Sequence, residues 1–222
     1  MTHNAFLKVT FGLLFILTSL ATGSSADGRR SISQTTITVH QDASSKGIKE
    51  AIYRLSGSKN VCIRLSGTTP IHDWTMCAIG LSGEARMLVT DDEGLTEVRA
   101  LDFTLPVCNL KGEVKAMDND AYTALKCDRY KNITFKLISA TVEPKGQNAY
   151  SVSAMGNLTV AGVTRTVTLR MRSHMDADGT ITFTGAEKLR MSDYNVERPS
   201  LLFGAIKAGD VMTLSYSLIF IK

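Results

Sequence analysis

The sequence predicts an all-β fold of eight antiparallel strands with one or two short helices. Three observations carry this. Apolar and polar residues alternate along stretches rich in Val, Ile, Thr, Phe and Leu, turn-forming residues separate those stretches at close intervals, and only two segments show helical spacing. The expected strands are 60–67, 74–90, 95–107, 132–142, 150–160, 163–173, 180–191 and 211–221. Asp91-Asp92-Glu93-Gly94, Glu143-Pro144-Lys145-Gly146, Ala161-Gly162, Asp176-Ala177-Asp178-Gly179 and Ala208-Gly209-Asp210 supply the reversals between them. Links this short make consecutive strands antiparallel neighbours. The helical segments are 47–55, with Ile48, Ala51, Ile52 and Leu55 on one face, and 117–127, with Met117, Ala121 and Leu125 aligned.

Each strand has one apolar face, for example Leu101, Phe103 and Leu105, or Met212, Leu214, Tyr216, Leu218 and Phe220. The opposite faces carry Ser, Thr, Lys, Arg and Glu. A sheet wet on one side must hide the other, by stacking as a sandwich or by closing into a barrel, and the pattern alone leaves both open. A barrel of about eight strands is wide enough for its own side chains or for one small elongated ligand. Small or flexible members of the apolar faces, among them Gly83, Ala85, Met87, Ala154, Gly156, Met171 and Gly185, favour an underfilled middle. Tight packing of the same positions is the alternative.

At the N-terminus Lys8 precedes a mostly apolar run from Val9 to Ala21, followed by the small residues Gly23, Ser24, Ser25 and Ala26. Residues 1–26 therefore read as a cleaved export signal. The run, interrupted by Thr10, Gly12 and Thr18, is short for a membrane helix, which needs about 20 apolar residues. A periplasmic or secreted mature chain follows, with residues 27–59 as an N-terminal extension containing a strand at 35–40, and residues 60–222 as the β domain. Net charge is +4, a mild and dispersed excess unlike the basic stripe that nucleic acid requires.

Cys62, Cys77, Cys108 and Cys127 are candidate disulfide partners in an oxidising compartment. Of the three connectivities, spacing favours Cys62 with Cys77 and Cys108 with Cys127. None forms a C-x-x-C motif, so neither a zinc knuckle nor a redox dithiol is supported. His3, His40, His72 and His174 are scattered, and no nucleophile elbow, zinc-protease helix or phosphate loop is present. We therefore expect no catalytic residues, no metal and no cofactor.

Five strings occur in order: Gly67-Thr68-Thr69-Pro70-Ile71-His72-Asp73-Trp74; Ala116-Met117-Asp118 with Ala121-Tyr122-Thr123-Ala124-Leu125-Lys126; Ile133-Thr134-Phe135; Gly156-Asn157-Leu158-Thr159-Val160-Ala161-Gly162-Val163-Thr164-Arg165; and Leu189-Arg190-Met191-Ser192-Asp193-Tyr194. In this order they resemble the YceI-like family of bacterial polyisoprenoid-binding proteins over residues 61–221. The resemblance implies a lipocalin-like barrel rather than a sandwich, export to the periplasm, and an isoprenoid lipid of quinone or polyprenyl phosphate type held inside. The four cysteines and residues 31–59 have no counterpart in that pattern.

An apolar tail gains about 25 cal/mol for each Å² it removes from water, so its binding needs shape more than special chemistry. The candidate lining is Trp74, Met76, Met87, Leu101, Phe103, Leu105, Phe135, Leu137, Leu158, Val167, Leu169, Phe183, Leu214, Tyr216 and Leu218. Each, taken singly, also reads as ordinary core. His72, Tyr122 and Arg165, with Lys126, are candidates for a polar head group, the cations suiting a phosphate. His72 and Asp73 read equally well as caps of the turn before Trp74. Glu187 shares the apolar face of Ile181, Phe183, Leu189 and Met191 and needs a partner, with Arg165 one candidate and an outward bulge the other. Membrane contact is expected only for lipid exchange. Oligomeric state stays open, since edge strands can pair between chains. The rival functions are a structural or interaction protein with a solidly packed barrel and, behind it, an enzyme using His72.

Overall fold

The computed structural model describes residues 47–57, 61–91, 94–201 and 206–222. The expected export signal and the strand at 35–40 lie outside them. The strands are β1 (Ile48–Leu55), β2 (Cys62–Thr68), β3 (Asp73–Ala78), β4 (Ser82–Thr90), β5 (Gly94–Pro106) and β6 (Leu110–Gly112), then, after helix α1 (Lys115–Ala124), β7 (Asn132–Gly146), β8 (Ala149–Val160), β9 (Val163–Met175) and β10 (Ile181–Arg190). The chain finishes with a short pair, β11 (Ser200–Leu201) and β12 (Ile206–Lys207), and the long β13 (Val211–Ile221).

Eight of these strands form a ring in the order β1, β4, β5, β7, β8, β9, β10, β13, closed where β13 returns to β1. Closure is narrow: Arg54 pairs with Ile221 and Leu55 with Phe220. Upstream on β13, Met212 to Ser217 pair instead with Gly67 to Cys62 of β2, which carries β3 and then β6 outward. The barrel predicted from alternation and resemblance is therefore present, but its wall is not uniform. Around the end where β13 finishes it is eight strands; around the other end β2, β3 and α1 are added.

The segment 47–55 is a strand, not the expected helix, and the ring begins at Ile48, upstream of residue 60. Ala51 and Tyr53 point in and are buried, whereas Ile48 and Ile52 are 62% and 46% exposed. A lone helix of this length is marginal in water. Pairing with β4 from Ile48↔Thr90 to Arg54↔Glu84 offers a full ladder instead. The stretch expected as one strand over 74–90 is two, because Gly80 at φ +67° turns the chain between β3 and β4. The reversal expected at 143–146 falls later, at Asn148 with φ +55°, since β7 keeps its pairing through Gly146. Ala161 and Gly162, at φ +48° and +80°, make the two-residue hairpin turn whose twist suits antiparallel strands.

Inside the uniform end, Tyr53, Met87, Leu95, Val152, Ile181, Phe183 and Phe220 are all buried in one packed core. Phe183 and Phe220 meet edge to face, with centroids 5.8 Å apart. A second ring pair, Phe103 stacked on Phe135 at 5.2 Å, crosses the middle, and Gly156 leaves the space that the Phe135 ring occupies.

Candidate functional site

Beyond the Phe103–Phe135 pair the interior is hollow. A cavity of about 270 Å³ lies between the barrel wall and α1, and its lining is almost wholly apolar. Ile63 and Leu65 of β2, Trp74 and Met76 of β3, Phe103 and Leu105 of β5, Leu158 of β8 and Leu214 of β13 supply the strand side by the alternation that turns every second side chain inward. Helix α1 and its C-cap add Met117, Ala121, Ala124 and Leu125, and the end of β10 with the turn after it adds Leu189, Met191 and Tyr194. The hollow exists because the wider wall encloses more space than its side chains can fill, while the eight-stranded end does not.

Helix α1 is held by specific bonds. The Asp118 carboxylate accepts the Gly112 amide at 2.7 Å and lies 3.4 Å from the Lys111 ammonium. The Tyr122 hydroxyl accepts from Lys111 at 2.6 Å and lies 2.8 and 3.0 Å from the Cys108 and Leu110 carbonyls. That hydroxyl, with lesser help from Asp118, raises the Lys111 pKa. A disulfide between Cys108 and Cys127 ties the far end of the helix to the end of β5. Cys77 is also disulfide-bonded, and the side chain of Cys62, its expected partner, lies outside the described part of the chain.

At the rim, the Gly-Thr-Thr-Pro turn is organised by Thr69. Its hydroxyl donates to the His72 carbonyl at 2.8 Å and accepts from the His72 amide at 3.1 Å, leaving the imidazole exposed beside the opening. Trp74 lies over Gly67, where any side chain would collide with the indole. Two residues of the lining, Trp74 and Tyr194, each bury a polar atom, the indole nitrogen and the phenol hydroxyl, that has no hydrogen-bond partner among the described residues. Burial is the main cause that pushes the Tyr194 phenol up to about 12, with the Asp193 charge adding to it and Arg165 opposing. Both groups are therefore neutral donors at ordinary pH, and such donors are costly to bury unsatisfied.

His72, Trp74, Met76, Phe103, Leu105, Leu158 and Leu214, chosen from sequence, are all brought to this cavity. Met87, Leu101, Phe135, Leu169, Phe183, Tyr216 and Leu218 are instead core of the filled part, and Leu137 packs against that core half-buried. Tyr122 is bound to backbone outside the cavity, and Arg165 and Val167 line a separate outer groove between β9 and β10. Glu187 has found a partner in Arg170, not Arg165: its carboxylate accepts the Arg170 amide at 2.8 Å. Sequence reasoning passed over the helix face and Tyr194. The stripe of Met117, Ala121 and Leu125 was a usable signal for the first. Tyr194 closes one of the strings that carry the resemblance, but its place on the lining is set by the 3-10 turn Ser192–Tyr194.

A YceI-like domain matches residues 21–220. The chain belongs to the YceI-like family. No curated protein sequence matches it. Among solved structures, Burkholderia cenocepacia BcnA superposes with a TM-score of 0.59 at 17% identity, covering 74% of this chain and 98% of that one. A polyisoprenoid binding domain from Saccharophagus degradans, implicated in plant cell wall breakdown, gives 0.55 at 11% identity, covering 78% and 98%. The Campylobacter jejuni YCEI protein gives 0.52 at 20% identity, covering 66% and 84%. At these identities the likeness is one of fold. The YceI-like match begins well before residue 60, in keeping with the place of β1 in the ring.

Proposed function

We propose that this YceI-like protein binds and carries, or sequesters, an apolar isoprenoid lipid of quinone or polyprenyl phosphate type, and that it does so as a binding protein without catalysis. The observation that carries the reading is the cavity itself: an apolar hollow of about 270 Å³ whose lining residues include Trp74 and Tyr194, each burying an unpartnered donor. Dispersed greasy lining suits a tail, and sparse donors suit one oxygenated end. The name of the Saccharophagus degradans domain supports the same class of ligand. The volume lies near the lower end of small-molecule pockets, ~300–1,000 Å³, so a long chain must leave part of itself outside. Export to the periplasm is part of the proposal, resting on the leader-like residues 1–26, as is membrane contact confined to lipid exchange.

Native mass spectrometry of the full chain purified from its own host tests the reading. The expected result is a population carrying a lipid whose mass fits an isoprenoid, with uptake of an added quinone or polyprenyl phosphate by the stripped protein. Protein that is always empty and takes up neither would sink it in favour of a structural role for the barrel.

A further inference from the structure

The wall of the barrel divides between β9 and β10. Strand β8 stays paired with β9 to the Val160↔Val163 turn, and β13 stays paired with β10 to Arg190↔Val211, yet the β9–β10 ladder stops at Gly185↔Met171. The next residue of β9, Arg170, has both backbone groups taken by side chains. Its amide donates to Glu187 at 2.8 Å, and its carbonyl accepts the Tyr216 hydroxyl at 3.2 Å. Tyr216 reaches that carbonyl because residue 185 is glycine, and any Cβ there would strike the phenol. The ladder is thus ended by bonded side chains and not by fraying, since unpaired backbone groups would otherwise be left at the break.

Past this point the strands diverge around an outer groove of about 370 Å³. Leu189, Arg190 and Tyr194 line both this groove and the inner cavity, so one layer of side chains separates them. Arg165 bridges the opening, its Nε donating to the Asp193 carbonyl at 2.9 Å. Arg165 and Lys188 have no carboxylate partner among the described residues, whereas Arg190 lies 3.5 Å from Asp210, which Ser192 also bonds. Among the described residues, Asp193 is the one carboxylate on the groove. Tyr194 is 4% exposed and its hydroxyl is unpartnered among the described residues.

We propose that the β9–β10 seam is a side portal and head-group site: a lipid with its tail in the cavity places an anionic, phosphate-type head between Arg165 and Lys188, with the Tyr194 hydroxyl donating to a head-group oxygen. This rests on the carrier reading and adds the ligand's charge and its exit. Charge-assisted bonds from cations to phosphate oxygens give such a head its preference over a neutral one.

Titration of the stripped full chain with geranylgeranyl monophosphate and with geranylgeraniol, followed by the fluorescence of the single tryptophan, Trp74, tests this. The phosphate should bind about tenfold or more tighter than the alcohol at low salt. The double variant Arg165→Gln/Lys188→Gln, both exposed positions, should lose that preference while holding the alcohol as before. Tyr194→Phe should weaken the phosphate several-fold without lowering the thermal midpoint of the empty protein, an outcome opposite to that of a structural hydroxyl. Equal binding of the two lipids, or a preference that survives the double variant, overturns the portal and leaves the carrier intact. Failure of both lipids to bind overturns the carrier as well.

Discussion

The two ends of this barrel are built from the same kinds of residue and differ in how many elements surround them. At the end where β13 meets β1, eight strands enclose Tyr53, Met87, Phe183 and Phe220, all buried in one packed core. At the other, β2, β3 and α1 widen the wall, and Ile63, Leu105, Leu158 and Leu214, no less apolar, are left facing a hollow. Apolar character therefore does not distinguish core from binding site here. Circumference does, because enclosed volume grows faster than the side chains that project into it.

The sharpest way to break this comparison is to truncate one residue at each end. Phe183→Ala should cost about 3–5 kcal/mol in denaturant unfolding, since its place is closely packed on every side. Leu214→Ala should cost no more than about 2 kcal/mol, the low end for such a change, because its wall already borders empty space. Equal costs would mean that the hollow end is as tightly packed as the other. Next in size, removing the Cys108–Cys127 bridge, which closes a separation of 19 residues, should cost about 3 kcal/mol. Hydrogen exchange should show α1 losing protection while β8 and β9 keep theirs. Uniform loss would make the helix part of the filled core.

Two tyrosines extend the comparison to pH. Burial raises the phenol pKa of both Tyr194 and Tyr216, and the neighbouring Glu187 charge adds to the shift at Tyr216. A group whose proton is held more tightly when folded stabilises fully below its unfolded pKa, about 10 for tyrosine, and loses that contribution as pH rises toward the folded value. Stability should therefore fall by on the order of 2 kcal/mol per tyrosine between about pH 10 and 12. Tyr194→Phe should reduce this alkaline loss at no cost near neutrality. Tyr216→Phe should reduce it too but cost about 1 kcal/mol at pH 7, since the Arg170 carbonyl loses its donor. The smallest effect is of opposite sign: Ala121→Leu, filling the cavity, should stabilise the empty protein by about 0.5–1 kcal/mol and reduce lipid uptake. The same enlargement at Ala154, fully buried beside filled space, should destabilise. A destabilising Ala121→Leu would place α1 against packed core.

Much of this was legible in the residues. Period-two alternation assigned an inward face to nearly every strand, and turn residues such as Ala161-Gly162 set the reversals. The spacing of Cys108 and Cys127 picked out their pairing, and the stripe of Met117, Ala121 and Leu125 marked the helix. These are local properties, fixed by which side of a pleat or helix a residue occupies. Which eight strands close the ring was not local. Ile48, Ala51, Ile52 and Leu55 fit a helical face as well as Ala51 and Tyr53 fit a strand, and only the waiting edges of β4 and β13 decided between them. The same holds for the split between Phe183 in the filled end and Phe103 on the hollow, and for the seam that Glu187 and Tyr216 hold open at Arg170. A side chain's inward direction is written in its own short stretch of chain. Whether it meets a neighbour or a void depends on how many distant strands share the wall, and that is settled only when the ring closes.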